Sequence, residues 1–94
     1  IHDYDKKKSH GAWLFTININ NKDFVQRKLR DYNIETNQVH FRNDRYSIFK
    51  KYVKGKKFPN MDYLENRYLV LPLHHKVSVK DARYISELVN KYAK

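Results

Sequence analysis

The sequence predicts an α+β domain, a small three-stranded sheet of mixed or mainly antiparallel pairing with helices packed on one face. Three observations lead there. Apolar residues alternate with a period of two over residues 12–19 and again from residue 38. They recur with helical spacing over residues 22–32 and from Ser78 to Tyr92. The connections are short, and the second strand lacks a full crossover to the third, which favours mixed or mainly antiparallel pairing.

Residues 1–10 are polar and aperiodic and read as a linker leading into a domain over 11–94. Gly11 ends that segment. From Ala12 to Ile19 the chain alternates, with Trp13, Phe15, Ile17 and Ile19 on one face of a half-buried strand. Asn20 and Asn21 stop the strand and offer a cap for a helix from Lys22 to Tyr32, whose Val25, Leu29 and Tyr32 share a face with Phe24 beside them. Asn33 suits a left-handed C-terminal position.

Gln38-Val39-His40-Phe41-Arg42 alternates again, and the strand breaks at Asn43-Asp44, where short polar side chains bond the local backbone. Tyr46, Phe49 and Tyr52 have the spacing of a short helical turn. Residues 53–57 form a basic loop around Gly55. Asn60 caps a short helix over Met61–Arg67, and Tyr68-Leu69-Val70-Leu71 is an apolar run suited to a strand buried on both faces, ended by Pro72. Ser78 with Asp81 three residues on gives a capping box, flanked by Val77 and Ala82 at the staple positions. Ala82, Ile85, Val89 and Tyr92 then mark the face of the last helix.

Ninety-four residues make one domain with a modest core. The absence of cysteine excludes disulfides and thiolate metal sites. No apolar run approaches the roughly 20 residues needed to span a bilayer, and no signal peptide is visible, so a soluble cytoplasmic location is expected. A first residue of Ile1 suggests a processed product or a piece of a longer protein. The formal charge of +10 reads either as an anionic partner or as charges on solvated faces. For most of the lysines the second reading is favoured, because they gather in two loops and form no helical stripe.

Chemistry has few places to reside. His74 and His75 are adjacent, point opposite ways on an extended chain and have no neighbouring carboxylate, which is a poor start for a metal site. The serines sit in no nucleophile elbow, and two isolated glycines build no phosphate loop. An RNA-recognition domain fits the charge but not the missing glycine-and-aromatic signature. His40 and Arg42 remain, an imidazole and a guanidinium on one side of a strand end, where Arg42 is suited to bidentate grip of phosphate or carboxylate. A lone strand histidine is more often structural, and Asn43 and Asp44 also serve simply as turn formers.

Several passages resemble one family in order and spacing. Trp13-Leu14-Phe15-Thr16-Ile17 resembles the first strand of the C-terminal small domain of the DegT/DnrJ/EryC1/StrS aminotransferases. Phe24 to Ile34 is similar to the helix that follows it. Gln38 to Asp44 is similar to a variant of the family's Ile-Glu-x-x-x-Val-His passage. Phe58-Pro59-Asn60 with Tyr63-Leu64, then Leu71-Pro72-Leu73-His74, resembles its closing motifs, and Ser78 to Val89 its terminal helix. The likeness runs from about residue 11 onward. Two departures stand out: Arg-Asn-Asp-Arg-Tyr replaces the usual Pro-Leu-His loop, and His75 replaces a proline.

The resemblance implies the small domain of an aspartate-aminotransferase-like fold. The parent enzyme would be a homodimer using pyridoxal phosphate, held by a separate large domain that also supplies the Schiff-base lysine. It would move an amino group from an amino acid, usually glutamate, to a nucleotide-linked keto sugar in deoxysugar or surface-polysaccharide synthesis. This chain would bind substrate and close over it without being active alone. By that analogy His40 and Arg42 are the expected substrate contacts, Asn43 and Asp44 shape the loop, Tyr46 is a further candidate, and His74 fixes the turn before the last helix. The competing expectation is a stand-alone basic module for nucleic acid or another polyanion; a third is an oligomerisation domain.

Overall fold

The computed structural model describes residues 6–9, 13–38 and 40–94. Among these, two strands pair antiparallel: β1 (Phe15–Asn18) and β2 (Tyr68–Leu71). Four α-helices accompany them: α1 (Lys22–Asp31), α2 (Lys50–Val53), α3 (Pro59–Glu65) and α4 (Val79–Tyr92). The register sets Phe15 opposite Leu71 and Ile17 opposite Leu69, so apolar side chains of both strands reach the same face.

On that face lie α1 and α4. Val25 and Leu29 of α1 are 0% exposed, and Ile85, Leu88 and Val89 of α4 close the core over Ile17, Ile19, Leu69 and Leu71. Each such side chain contributes about 1.5–3 kcal/mol by leaving water, so this layer carries most of the fold's stability. Leu88 belongs to the core although the 82, 85, 89 spacing does not single it out, whereas Ala82 is exposed.

The ends of α1 and α4 are joined by one side chain. Asn21 holds the N-cap position of α1 as expected, but its side chain makes no capping bond there. Its amide instead donates to the Tyr92 carbonyl at 2.8 Å and accepts from the Lys94 N–H at 2.9 Å, a tertiary use that outcompetes the local one. Asn33 takes the expected left-handed conformation, φ 60°, and lets the Ile34 N–H return to the Leu29 carbonyl. At α4 the capping box forms in full, with Ser78 Oγ accepting from the Asp81 N–H and Asp81 accepting from the Ser78 N–H.

Three expectations need correction. The stretch from Gln38 is not a third strand among the described residues: a single bridge joins Asn37 to Val70, and residues 40–42 run free of any ladder. Val39 lies outside the described residues. The Tyr68 hydroxyl takes the His40 carbonyl at 2.9 Å, a side-chain bond in place of a ladder bond. The short third helix begins at Pro59, not Met61, with Phe58 in the cap position; the proline's set φ and missing N–H suit a first turn better than Asn60 suits a cap. β1 is shorter than its alternation, because Trp13 is 74% exposed and has left the sheet. Ala12 lies outside the described residues.

Candidate functional site

The segment from His40 to Leu64 is built differently from the core. After Arg42 it makes two 3₁₀ turns, Asn43–Arg45 and Ser47–Phe49, then passes into α2, the Gly55 turn and α3. None of these elements buries a residue. They curl around a groove of about 950 Å³ bounded on the sheet side by Thr16, Asn18 and Tyr68. Phe49 and Val53, one turn apart, face into it, as do Phe58 at the cap of α3 and Met61 and Leu64 on it, spaced i, i+3, i+6.

One side chain organises this segment. Arg42 is only 5% exposed, and its guanidinium meets three carboxylates. Nε and Nη2 donate to the two oxygens of Asp44 at 2.9 and 2.6 Å. Nη1 donates to Asp62 at 2.6 Å and to Glu65 at 3.1 Å. Glu65 also receives both terminal nitrogens of Arg45. Lys22, itself buried, donates to the Glu65 carbonyl at 2.7 Å and so ties the end of α3 to the start of α1. The direct hydrogen bonds from Arg42 hold the Asp44 carboxyl below the usual range, and Asp44 in turn raises the Arg42 pKa.

All five residues expected at the site, His40, Arg42, Asn43, Asp44 and Tyr46, line this groove. They divide into two sets. Arg42 and Asp44 spend their polar atoms on each other and on α3. His40, Asn43 and Tyr46 carry no side-chain hydrogen bond among the described residues and stay exposed. The His40 ring stands edge-on to Trp13 at 6.2 Å, and Tyr46 edge-on to Phe41 at 5.0 Å, which gives the free polar groups aromatic supports. Asp62 and Glu65 were missed from the sequence, though their i, i+3 spacing on a short helix already placed two carboxylates on one face. His74 sits in the turn before α4, where its Nδ1 accepts from the Lys76 N–H at 3.2 Å.

The model of the DegT/DnrJ/EryC1/StrS aminotransferase family matches residues 1–90. The chain belongs to that family. No curated protein and no solved structure matches it.

Aminotransferases of this kind generally rely on pyridoxal phosphate, which needs a lysine to carry it and donors for its phosphate. Among the described residues no lysine lines the groove, and its one guanidinium is committed to carboxylates. The groove of this family member therefore does not fit the cofactor. No group of three His, Asp or Glu residues among the described ones is placed to hold a metal, and no helix there is long and apolar enough to cross a membrane.

Proposed function

We propose that this chain is the substrate-covering small domain of an aminotransferase acting on a nucleotide-linked keto sugar. The cofactor and its lysine would come from a large domain of the same protein, and the active parent would be a homodimer. The observation that carries this reading is the groove itself. It sets an imidazole, a carboxamide and a phenol, all unspent, along an apolar and aromatic wall.

Such a wall suits the flat base and the sugar ring, while His40, Asn43 and the Tyr46 hydroxyl are free to bond sugar or ribose oxygens. Arg42 is reassigned in this proposal. It does not touch substrate; with Asp44 it clamps the 43–45 turn onto α3 and so aims its neighbours. A guanidinium already satisfied by three carboxylates has little left for an anionic ligand, and withdrawing it would strand those charges. The role of the domain is to bind, orient and exclude water, not to exchange the amino group.

The test uses the whole protein that carries this chain, with its two half-reactions followed separately. His40→Ala and Asn43→Ala should each raise the KM for the keto sugar by about tenfold, the worth of one good hydrogen bond, and leave the amino-donor half-reaction unchanged. Equal losses in both half-reactions, or none in either, would remove these residues from the sugar site.

A further inference from the structure

The segment Ile48-Phe49-Lys50-Lys51-Tyr52-Val53-Lys54-Gly55-Lys56-Lys57-Phe58 contains no acidic residue. The nearest carboxylates in sequence, Asp44 and Asp62, are both bound to Arg42. The five lysines are exposed, and none pairs with a carboxylate among the described residues. Gly55, at φ 76°, turns the chain, and the Lys56 N–H bonds the Val53 carbonyl, so Lys56 and Lys57 follow directly on the turn that ends α2. The result is a concentrated, uncompensated positive surface.

Apolar side chains are set into that surface. Phe49 turns into the groove and Val53 lines both it and a separate hollow, where Ile48, 74% exposed, lies with Lys50, Lys51 and Lys54. Tyr52 lies on the groove's rim, 61% exposed, with the Lys51 ammonium 4.9 Å from its ring centre. Positive charge alone suits any polyanion. An exposed isoleucine among lysines is more selective, because it has no π face on which to stack a base and gains only where hydrocarbon can receive it. Tyrosine and lysine both favour a bilayer's headgroup layer, where basic and apolar contributions together make a peripheral attachment stable.

We propose that residues 48–57 bind the surface of an anionic lipid bilayer, with the lysines on headgroup phosphates and Ile48 and Tyr52 entering the interfacial layer. The attachment is peripheral and does not depend on which substrate the groove takes.

Cosedimentation of the full chain with vesicles tests this. Phosphatidylcholine vesicles containing about 30% phosphatidylglycerol should retain it in low salt, and pure phosphatidylcholine should not. Replacing Lys50, Lys51 and Lys54 by Gln should weaken retention on the order of a hundredfold, at about fivefold per lysine, while Arg at the same positions preserves it. Ile48→Ser, which leaves charge untouched, should weaken it about tenfold. The proposal is overturned if Ile48→Ser binds as well as the parent, or if Gln at Lys6, Lys8 and Lys80 costs as much as Gln in the segment. It is also overturned if the chain binds polyuridylate but no vesicle.

Discussion

Val25 and Leu29 on α1 are wholly buried, whereas Phe49 and Leu64, no less apolar, stay 42% and 38% exposed around the groove. The first pair belongs to a layer that satisfies itself, with two strands and two helices closed over one cluster. The second pair belongs to a segment that has no core and is held in place by Arg42 and its carboxylates. The contrast teaches that this domain builds its core and its groove from different materials. Hydrophobic burial makes the scaffold, and a polar clasp props open an apolar surface around the groove.

The sharpest way to break the comparison is to truncate one side chain in each region. Leu29→Ala should cost about 2–5 kcal/mol, since it empties a fully enclosed site. Phe49→Ala should stay within about 1 kcal/mol, because much of the ring already meets water. Urea unfolding of both variants decides it; similar losses would mean that the groove segment is part of the core after all.

Acid should act on the clasp in a defined direction. The Asp44 pKa is depressed by its bonds to Arg42, so its contribution is complete above the unfolded value of about 3.9 and is lost as pH falls through the lower folded one. Asp81, depressed chiefly by the Ser78 backbone N–H, follows the same rule. Wild type should therefore exceed Asp44→Asn in urea midpoint at neutral pH, with the gap closing as the pH drops toward 2. A gap that widens instead would reverse the assigned sign.

A smaller effect than that of Leu29→Ala is expected at the α4 cap. Ser78→Ala removes the acceptor for the Asp81 N–H and should cost about 1 kcal/mol, and Ser78→Thr much less. A cost as large as that of Leu29→Ala would show the cap to be more than a helix terminus.

What the sequence made legible follows the same division. Patterns that report burial read well at their centres. β2 occupies the four residues of its apolar run, and α1 buries Val25 and Leu29 and α4 buries Ile85 and Val89, while Tyr32 and Ala82 on the same marked faces stay exposed. Asn33 and the Ser78–Asp81 box sit as local chemistry requires. The expected strand from Gln38 misled because alternation reports only which side chains differ, not whether a ladder partner exists; Tyr68 takes the His40 carbonyl with its hydroxyl instead. Arg42 misled for a related reason. On an extended segment a guanidinium reads as free to grip a ligand, yet its partners Asp62 and Glu65 lie 20 and 23 residues away, beyond any local pattern. The five candidate residues do meet at one groove, but their division into clasp and free groups needed the fold.

Amide hydrogen exchange on Arg42→Met tests the central claim most directly. The clasp account predicts that the amides of Arg45, Tyr46 and Phe49, each bonded within the turns after Arg42, exchange at least about tenfold faster. Those of Val25 and Leu29 should keep wild-type protection. Unchanged protection at Arg45, Tyr46 and Phe49, or an equal loss at Val25 and Leu29, would contradict it, because the first makes the clasp dispensable and the second makes it inseparable from the core.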